Sequence, residues 1–232
     1  MGSVCPRMKE LDLASTTPIN RIQQNLLAAS ERRLLNWLCP RLPSWVTPDQ
    51  LTMLALVAAV VIFAGYAASA FNPNWLWLSV AGYFVHWFGD SLDGSLARFR
   101  SIERPRYGYF VDHSADALGT LFIVGGLGVS PYIRLDVSLL ALAGYYLLSI
   151  HTFLSARVIG EFKLTYVSAG PTELRLMLIG LTVAMYVFGN SEWRWMSLGP
   201  FDLFAGAVAG ILITLFVIQT TAMARRLERE GE

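Results

Sequence analysis

The feature that most constrains this sequence is a series of long apolar segments. Residues Leu51–Ala70 form a run of twenty residues without a charged side chain. A helix of about 20 apolar residues is long enough to cross the hydrocarbon core of a bilayer. Further candidate spans of similar length follow along the chain, at residues 75–98, 107–130, 135–156, 172–189 and 201–222. We therefore predict an all-α integral membrane protein with six transmembrane helices.

Composition supports this class and narrows the possible partners. Hydrophobic residues make up 54% of the chain and charged residues 15%, whereas ordinary globular domains contain about 25% charged residues. This balance excludes a disordered or collagen-like chain. The formal net charge is only +1, so the sequence gives no indication of nucleic-acid binding. Membrane lipids are the expected surroundings.

Lys and Arg are distributed unevenly between the segments that connect the predicted helices. The two termini and alternate connections carry 16 of the 18 basic residues, and the remaining connections carry 2. Cytoplasmic loops of membrane proteins are enriched in Lys and Arg. We therefore expect both termini on the cytoplasmic side, with the cell inner membrane as the location. The tryptophans in or beside the outer loops fit this orientation, at Trp75, Trp77, Trp193 and Trp195.

A different kind of segment precedes the first span. Thr17 and Pro18 are typical of a helix start, because threonine caps helix N-termini and proline is favoured at the first helical position. Apolar residues then recur at helical spacing, at Ile19, Ile22, Leu26, Leu27, Leu34 and Leu38. This pattern predicts an amphipathic interfacial helix on the membrane surface, with a helix packed on the soluble side as the alternative. We expect an N-terminal segment (1–46), a six-helix transmembrane domain (47–224) and a cytoplasmic tail (225–232).

Four carboxylates lie within two of the predicted spans. Asp90 and Asp93 are near the end of the second span, and Asp112 and Asp116 are near the start of the third. An ionised Asp at the bilayer centre costs about 2.5–3.5 kcal/mol, so intramembrane acids usually have a function. Spacings of three and four residues put each pair on one helix face. Because the connecting loop is short, we expect the two faces to meet just inside the membrane on the cytoplasmic side.

The expected cluster is suited to divalent cations. Little side-chain bulk surrounds it, since Gly94, Ala97 and Gly108 share the faces of the acidic residues. Carboxylate oxygens are preferred by Mg²⁺ and Mn²⁺, and two adjacent ions form a clamp for phosphoryl chemistry. His113 is expected to point away from the face, which disfavours zinc. Structural ion pairs are the alternative, with candidate partners Arg98, Arg100, Arg104 and Arg106.

The same residues form an ordered motif. The chain reads Asp90-Ser-Leu-Asp93-Gly94-Ser-Leu-Ala97-Arg98, then nine residues, then Gly108-Tyr-Phe-Val-Asp112-His-Ser-Ala-Asp116. This string resembles the signature of the CDP-alcohol phosphotransferases, DxxDGxxAR followed by GxxxDxxxD, at all eight fixed positions. Upstream, Thr47-Pro48-Asp49-Gln50-Leu51-Thr52 is similar to a TPNxLT stretch common before the first span of that family, with Asp49 where Asn is usual.

The resemblance implies a membrane enzyme, usually a homodimer. In such an enzyme an acceptor hydroxyl attacks the phosphorus of a CDP-linked donor, and CMP leaves. It implies Mg²⁺ or Mn²⁺ as cofactor, with two ions in each active site, and Asp116 as the general base. The implied metal ligands are Asp90, Asp93, Asp112 and Asp116. The implied CDP-donor-binding residues are Asp90, Gly94, Ala97, Arg98 and Gly108, the last allowing close helix approach.

The substrates are less constrained than the reaction. One branch of the family takes CDP-diacylglycerol and a small polar alcohol, and the other takes CDP-choline or CDP-ethanolamine and a lipid alcohol. The Asp112-His113 pair and the stretch Gly170-Pro-Thr-Glu173 are similar to the second branch, and both branches stay open. Residues that could bind a substrate phosphate or line the acceptor pocket are Arg157, Lys163, Glu173 and Arg175. For the basic residues the alternative is positive-inside charge, and for Glu173 it is helix capping.

A function from another class is ion- or proton-coupled transport, because intramembrane acids also mark transport pathways. Transporters usually contain internal repeats and bind their substrate near the bilayer centre. This sequence shows no such repeat, and its acidic residues lie at the cytoplasmic ends of the spans. We therefore favour the phosphotransferase, with the transporter as the alternative.

Overall fold

A computed structural model of the chain describes residues 28–159, 170–189 and 195–231. Within these ranges the chain is helical and forms no β-sheet, which confirms the all-α class. Two short 3₁₀ turns, Cys39–Arg41 and Pro73–Trp75, precede the second and third helices. The α-helices are α1 Ala28–Leu38, α2 Pro48–Ala68, α3 Leu76–Phe99, α4 Pro105–Val129, α5 Leu135–Ile159, α6 Pro171–Phe188 and α7 Pro200–Glu230.

The long helices α2 to α7 coincide with the six predicted spans to within a few residues at most ends. Four of them are long and apolar enough to cross a membrane, namely α2, α5, α6 and α7. Helices α3 and α4 fall short of that criterion because they carry the acidic residues. The count of six transmembrane helices therefore stays a prediction.

Local sequence explains where these helices begin. The Thr47 hydroxyl accepts a hydrogen bond from the Gln50 amide at 3.3 Å, and the Gln50 side chain accepts one from the Thr47 amide at 2.9 Å. This reciprocal capping box precedes Pro48, the first residue of α2. Helices α4, α6 and α7 also start with proline, whose fixed φ and missing N–H suit the first helical position.

Helix α2 lies at the centre of the fold and packs against both α3 and α4. Helix α5 packs against α4 and α7, and α6 packs against α3. A buried chain of hydroxyl groups joins three of these helices. The Tyr66 hydroxyl lies 3.1 Å from that of Tyr83 on α3 and 2.5 Å from that of Thr182 on α6. Each hydroxyl is thereby satisfied within an otherwise apolar core.

The contact between α2 and α3 is unusually close because glycine lies at the interface. A Cβ atom added to Gly89 of α3 would lie 2.5 Å from the Leu51 carbonyl oxygen and 2.8 Å from the Ala55 nitrogen. Both neighbours are backbone atoms of α2, so neither can rotate away. Small residues allow helix backbones to approach in this way in membrane bundles. The approach brings α2 next to the acidic end of α3.

Large apolar side chains cover much of the outer surface of the helices. Examples exposed to more than a third of their area are Met53, Val57, Phe84, Leu118, Leu140, Ile150, Val187 and Val217. Soluble proteins rarely expose contiguous apolar surface on this scale. Contact with lipid acyl chains explains it, and the chain is an integral membrane protein.

The described part of the N-terminal segment packs against α3. Leu35 of α1 and Cys39 of the following turn are buried with Leu51, Leu92 and Leu96. This contact is compatible with both interpretations of the segment, a helix on the membrane surface and a helix packed on the soluble side. The proposed helix start at Thr17-Pro18 lies outside the described residues, and the interfacial position of the segment stays a prediction.

Arg100, the residue after the end of α3, binds the loop between α1 and α2. Its guanidinium donates hydrogen bonds to the carbonyl oxygens of Leu42 at 3.2 Å, Pro43 at 2.8 Å and Val46 at 2.5 Å. Backbone carbonyls without another partner are costly when they are removed from water. The loop is therefore held against the end of α3, on the side of the bundle where the acidic residues lie.

We predict that Gly89→Ala destabilises the bundle. The added methyl group must push α2 and α3 apart, and overpacking of this kind costs about 1–3 kcal/mol. The measurement is thermal unfolding of the purified protein in detergent. The matched control is Gly180→Ala in α6, where nothing lies within 4 Å of the new Cβ. Equal melting temperatures for the two variants would contradict the close α2–α3 contact.

Candidate functional site

The four acidic residues lie at matching depths on two antiparallel helices. Asp93 is six residues from the end of α3 and Asp112 is seven residues from the start of α4, which places them about 9 Å and 10 Å from those ends. Asp90 and Asp116 lie about 14 Å and 16 Å from the same ends by the same rise per residue. The expectation that the two acidic faces meet is confirmed by their interactions. Asp93 interacts electrostatically with Asp90 and Asp112, and Asp116 with Asp90 and Asp112.

The cluster is buried on one side and open on the other. Asp93 is only 8% exposed, whereas the side chains of Asp90, Asp112 and Asp116 are 19%, 32% and 42% exposed. A group of acids in this arrangement needs compensating partners on its buried side. Its open side is accessible to a ligand.

Thr52 of α2 supplies one partner. Its hydroxyl donates a hydrogen bond of 2.7 Å to Asp93 Oδ2, while the Gly94 amide donates to Asp93 Oδ1 at 2.5 Å. Asp93 is the most buried of the four aspartates, and both of its carboxylate oxygens therefore accept a hydrogen bond. No local pattern indicates this role for Thr52, although the residue ends the Thr47–Thr52 stretch that carries part of the family resemblance.

Arg175 of α6 supplies the second partner, through an ion pair with Asp90. Both side chains are largely buried, at 11% and 19% exposure. From the sequence, the candidate partners were Arg98, Arg100, Arg104 and Arg106, and Arg175 was a candidate for binding a substrate phosphate. The structure instead uses an arginine from α6, which is 85 positions away in the sequence.

The arginines near the α3–α4 connection make other contacts. Arg104 pairs with Asp49 at 2.5 Å across the starts of α4 and α2, and its guanidinium lies 4.1 Å above the Tyr107 ring. The hydrogen bond that Arg104 donates to Asp49 raises the pKa of Arg104 above its usual range. Asp49, which replaces the Asn usual in the related stretch, therefore binds an arginine of its own chain.

The expectation that His113 points away from the acidic face is wrong. Its Nδ1 atom lies 3.7 Å from an oxygen of Asp112 and 3.8 Å from an oxygen of Asp116. The imidazole packs edge-on against Tyr109, with ring centroids 4.3 Å apart, and near Phe153 at 5.3 Å. Although His113 starts about 100° around the helix from Asp112, these two rings hold it on the acidic side.

The donor groups fit a divalent metal ion. Asp112, His113 and Asp116 each have one potential ligand atom that lies within 4.8 Å of those of the other two residues. Asp90 and Asp93 add carboxylates that interact with this group. A mainly carboxylate set suits Mg²⁺ or Mn²⁺, and one imidazole is compatible with Mn²⁺ as well as with softer metals. The chemistry of the donor set therefore allows the cofactor that the sequence implied.

Three of the residues expected to bind the CDP-linked donor, Gly94, Ala97 and Arg98, follow Asp93 in the last turns of α3. Gly94 and Ala97 are half-buried, and Arg98 is exposed, with its guanidinium 3.3 Å from the Ser95 hydroxyl. Gly108 was expected to allow a close helix approach. Within the described part of the chain, nothing lies within 4 Å of a Cβ placed there. The first turn of α4 is exposed, and the space beside Gly108 is open.

The remaining candidates have different outcomes. Arg157 is exposed in the last turn of α5, and Lys163 lies outside the described residues. The Glu173 carboxylate accepts a hydrogen bond of 3.0 Å from the Gly170 amide, which confirms the capping role at the start of α6. Among the buried histidines, both ring nitrogens of His151 lie within hydrogen-bonding distance of hydroxyl groups, those of Ser155 and Thr220.

Comparison with known proteins identifies relatives of this chain. It is 28% identical over 200 residues to cholinephosphotransferase 1 of Danio rerio, covering 78% of this chain and 50% of that protein. It is 29% identical over 175 residues to a CDP-diacylglycerol–serine O-phosphatidyltransferase of Encephalitozoon cuniculi, covering 68% and 42%. It is 32% identical over 104 residues to archaetidylinositol phosphate synthase of Pyrococcus horikoshii, covering 45% and 52%. The chain spans about half the length of these relatives.

A family model describes the larger part of the chain. The model of the CDP-alcohol phosphatidyltransferases matches residues 45–226. This range runs from just before the Thr47 cap of α2 to the last turns of α7, and it contains all four acidic residues together with Thr52 and Arg175. The chain therefore belongs to the CDP-alcohol phosphatidyltransferase family.

Proposed function

We propose that this protein transfers a substituted phosphate group from a CDP-linked donor to an alcohol in phospholipid synthesis. The observation that carries the proposal is the convergence of Asp90, Asp93, Asp112 and Asp116 at one end of the bundle, inside the range matched by the family. In the proposed reaction, the acceptor oxygen forms a bond to phosphorus. The bond from that phosphorus to the bridging oxygen of the pyrophosphate breaks, and CMP leaves with that oxygen.

The four aspartates would hold the metal ions, and His113 is close enough to contribute. Bound Mg²⁺ or Mn²⁺ would neutralise charge on the phosphates and stabilise the leaving group. The remaining residues position the cluster, because Thr52 orients Asp93 and Arg175 orients Asp90. Gly94, Ala97, Arg98 and Gly108 are the residues proposed to bind the donor.

Asp116 is proposed as the general base. It is the most exposed of the three partly exposed aspartates, so an acceptor hydroxyl can come within hydrogen-bonding distance of its carboxylate. A base in that position takes the proton as the acceptor oxygen attacks. The distance of 3.8 Å between His113 Nδ1 and Asp116 allows the imidazole to orient this carboxylate.

For the substrates, we propose a CDP-choline or CDP-ethanolamine donor and a lipid alcohol acceptor. The cholinephosphotransferases of Danio rerio and Gallus gallus align with 78% and 85% of this chain, a greater share than the CDP-diacylglycerol-dependent relative. The Asp112-His113 pair and the Gly170–Glu173 stretch favour the same branch. A CDP-diacylglycerol donor with a polar alcohol is the second candidate.

The membrane arrangement is part of the proposal. We propose six transmembrane helices in residues 47–224, an interfacial N-terminal helix, and a tail at 225–232. Both termini and the acidic cluster would lie on the cytoplasmic side of the inner membrane, where CDP-linked substrates and lipids meet. The distribution of Lys and Arg supports this orientation. Family resemblance supports a homodimer.

The transporter alternative is not favoured. The chain belongs to a family of transferases, and its sequence shows no internal repeat. Transporters bind their substrates near the bilayer centre, usually between internal repeats.

The reaction is tested by CMP release from the purified protein in lipid nanodiscs with Mg²⁺ or Mn²⁺. One arm supplies CDP-choline or CDP-ethanolamine with diacylglycerol, and the other supplies CDP-diacylglycerol with a panel of polar alcohols. We expect release in the first arm. CMP release only in the second arm would show that the proposed donor and acceptor are wrong. No CMP release in either arm, in an assay where control enzymes are active, would contradict the proposed reaction.

We predict that Asp93→Asn abolishes turnover and weakens binding of divalent cations, because it removes charge from the buried centre of the cluster. Mn²⁺ binding is measured by electron paramagnetic resonance, and turnover by CMP release. The control is Asp136→Asn, which changes an exposed aspartate paired with Arg134 at the other end of the bundle. Near-normal activity in Asp93→Asn would contradict the metal-site assignment.

We predict that Asp116→Asn slows the chemical step and largely preserves donor binding. Loss of a general base lowers the rate by about 10²–10⁴-fold. Single-turnover CMP release measures the chemical step, and calorimetric titration with the CDP-linked donor measures binding. A parallel collapse of binding and turnover would assign Asp116 to metal binding rather than to proton transfer.

A further inference from the structure

Glu31 of α1 makes a three-way side-chain contact that the reaction described above does not use. Its Oε1 atom accepts hydrogen bonds from Trp87 Nε1 at 2.9 Å, Ser91 Oγ at 3.0 Å and Thr172 Oγ1 at 2.8 Å. Trp87 and Ser91 belong to α3, and Thr172 belongs to α6. One carboxylate of the N-terminal segment therefore joins three helices.

The donors of these hydrogen bonds lie next to the ion pair of the acidic cluster. Ser91 directly follows Asp90 on α3. Thr172 lies three residues before Arg175 on α6, and residues at this spacing share a helix face. Two contacts therefore join α3 to α6, one through Glu31 and one through the Arg175–Asp90 ion pair. These two contacts lie within one helical turn of each other.

The contact requires an oxygen acceptor in the side chain of residue 31, because all three partners donate hydrogen bonds to it. All three donors are uncharged, and hydrogen bonds to an ionised acceptor are stronger than those between neutral groups. The glutamate is partly buried, so removing it leaves an indole N–H and two hydroxyl groups with fewer partners. Among the described residues, helix α6 has no buried side chain near its start. Its buried residues are Thr182 and Met185, more than two turns further along.

We propose that Glu31 is a positioning residue that sets the distance between α3 and α6 and thereby holds the Arg175 guanidinium on Asp90. The inference rests on the proposed function, because it assigns the N-terminal helix a part in ordering the acidic cluster. It gives α1 a role in catalysis in addition to any contact with the membrane surface.

The test compares Glu31→Ala with Glu31→Gln in nanodiscs, measuring CMP release and thermal unfolding. An amide oxygen still accepts hydrogen bonds, so we expect Glu31→Gln to retain activity within about threefold and Glu31→Ala to lose about tenfold or more in kcat/KM. The control is Glu103→Ala, an exposed glutamate of the α3–α4 connection, for which we expect wild-type activity. Equal activity of Glu31→Ala and the control would overturn the proposal.

A double variant separates positioning from general stability. If Glu31 acts through Arg175, then Glu31→Ala combined with Arg175→Ala loses no more activity than Arg175→Ala alone, because coupled residues are not additive. Losses that multiply would overturn this route of action.

A readout that needs no substrate keeps this proposal distinct from the proposed reaction. Hydrogen–deuterium exchange of the segment 170–175 is expected to rise in Glu31→Ala and to stay near wild type in Glu31→Gln and Glu103→Ala. Unchanged exchange in Glu31→Ala would overturn the positioning role even if the protein is an active transferase. Raised exchange in a protein that is silent with every donor would support the contact and contradict the reaction.

Discussion

The structure depends on the placement of four like charges at one end of an apolar helical bundle. Carboxylates in such surroundings are unfavourable unless partners compensate them. The bundle meets this requirement in two ways. Protein groups satisfy the buried side, where Thr52 binds Asp93 and Arg175 binds Asp90. The other side is left open to cations, which is the arrangement that the proposed phosphoryl transfer requires.

The close contact between α2 and α3 is a precondition for this compensation. Thr52 reaches Asp93 only because Gly89 lets the backbone of α2 lie against α3. The glycine directly precedes Asp90 and lies about one turn before Asp93, at the level of Leu51 and Ala55. Packing and chemistry are therefore linked at this point, and the same residue contributes to stability and to the geometry of the acidic group.

Much of this arrangement could be predicted from local sequence. Apolar runs predicted the long helices, and the Thr47-Pro48 pair predicted the start of α2. Spacings of three and four residues, with a short connection, predicted that Asp90 and Asp93 would meet the acids of α4. Each of these inferences depends on residues close together in the chain. Whether α3 and α4 cross the bilayer is harder to predict, because their acidic residues lower the apolar character on which span prediction depends.

The partners of the acids could not be predicted in the same way. Thr52 is 41 positions from Asp93, and Arg175 is 85 positions from Asp90, so both contacts depend on how distant helices pack. The orientation of His113 was missed because neighbouring aromatic rings decide it rather than its angular position on α4. The three contacts of Glu31 span 56, 60 and 141 positions and have no local signal.

The hydroxyl chain of Tyr66, Tyr83 and Thr182 has a mechanical consequence for α6. It fixes this helix to α2 and α3 at Thr182, seven residues from Arg175, a separation of about 10 Å along the axis. Helix α6 can therefore tilt about Thr182, and its first turns, which include Arg175, move most when it does. A tilt of about 5° around that point moves the backbone at Arg175 by about 1 Å. A misplacement of that size can lower an enzymatic rate by about 10²-fold, so the rate of the proposed reaction would depend on the tilt of this one helix.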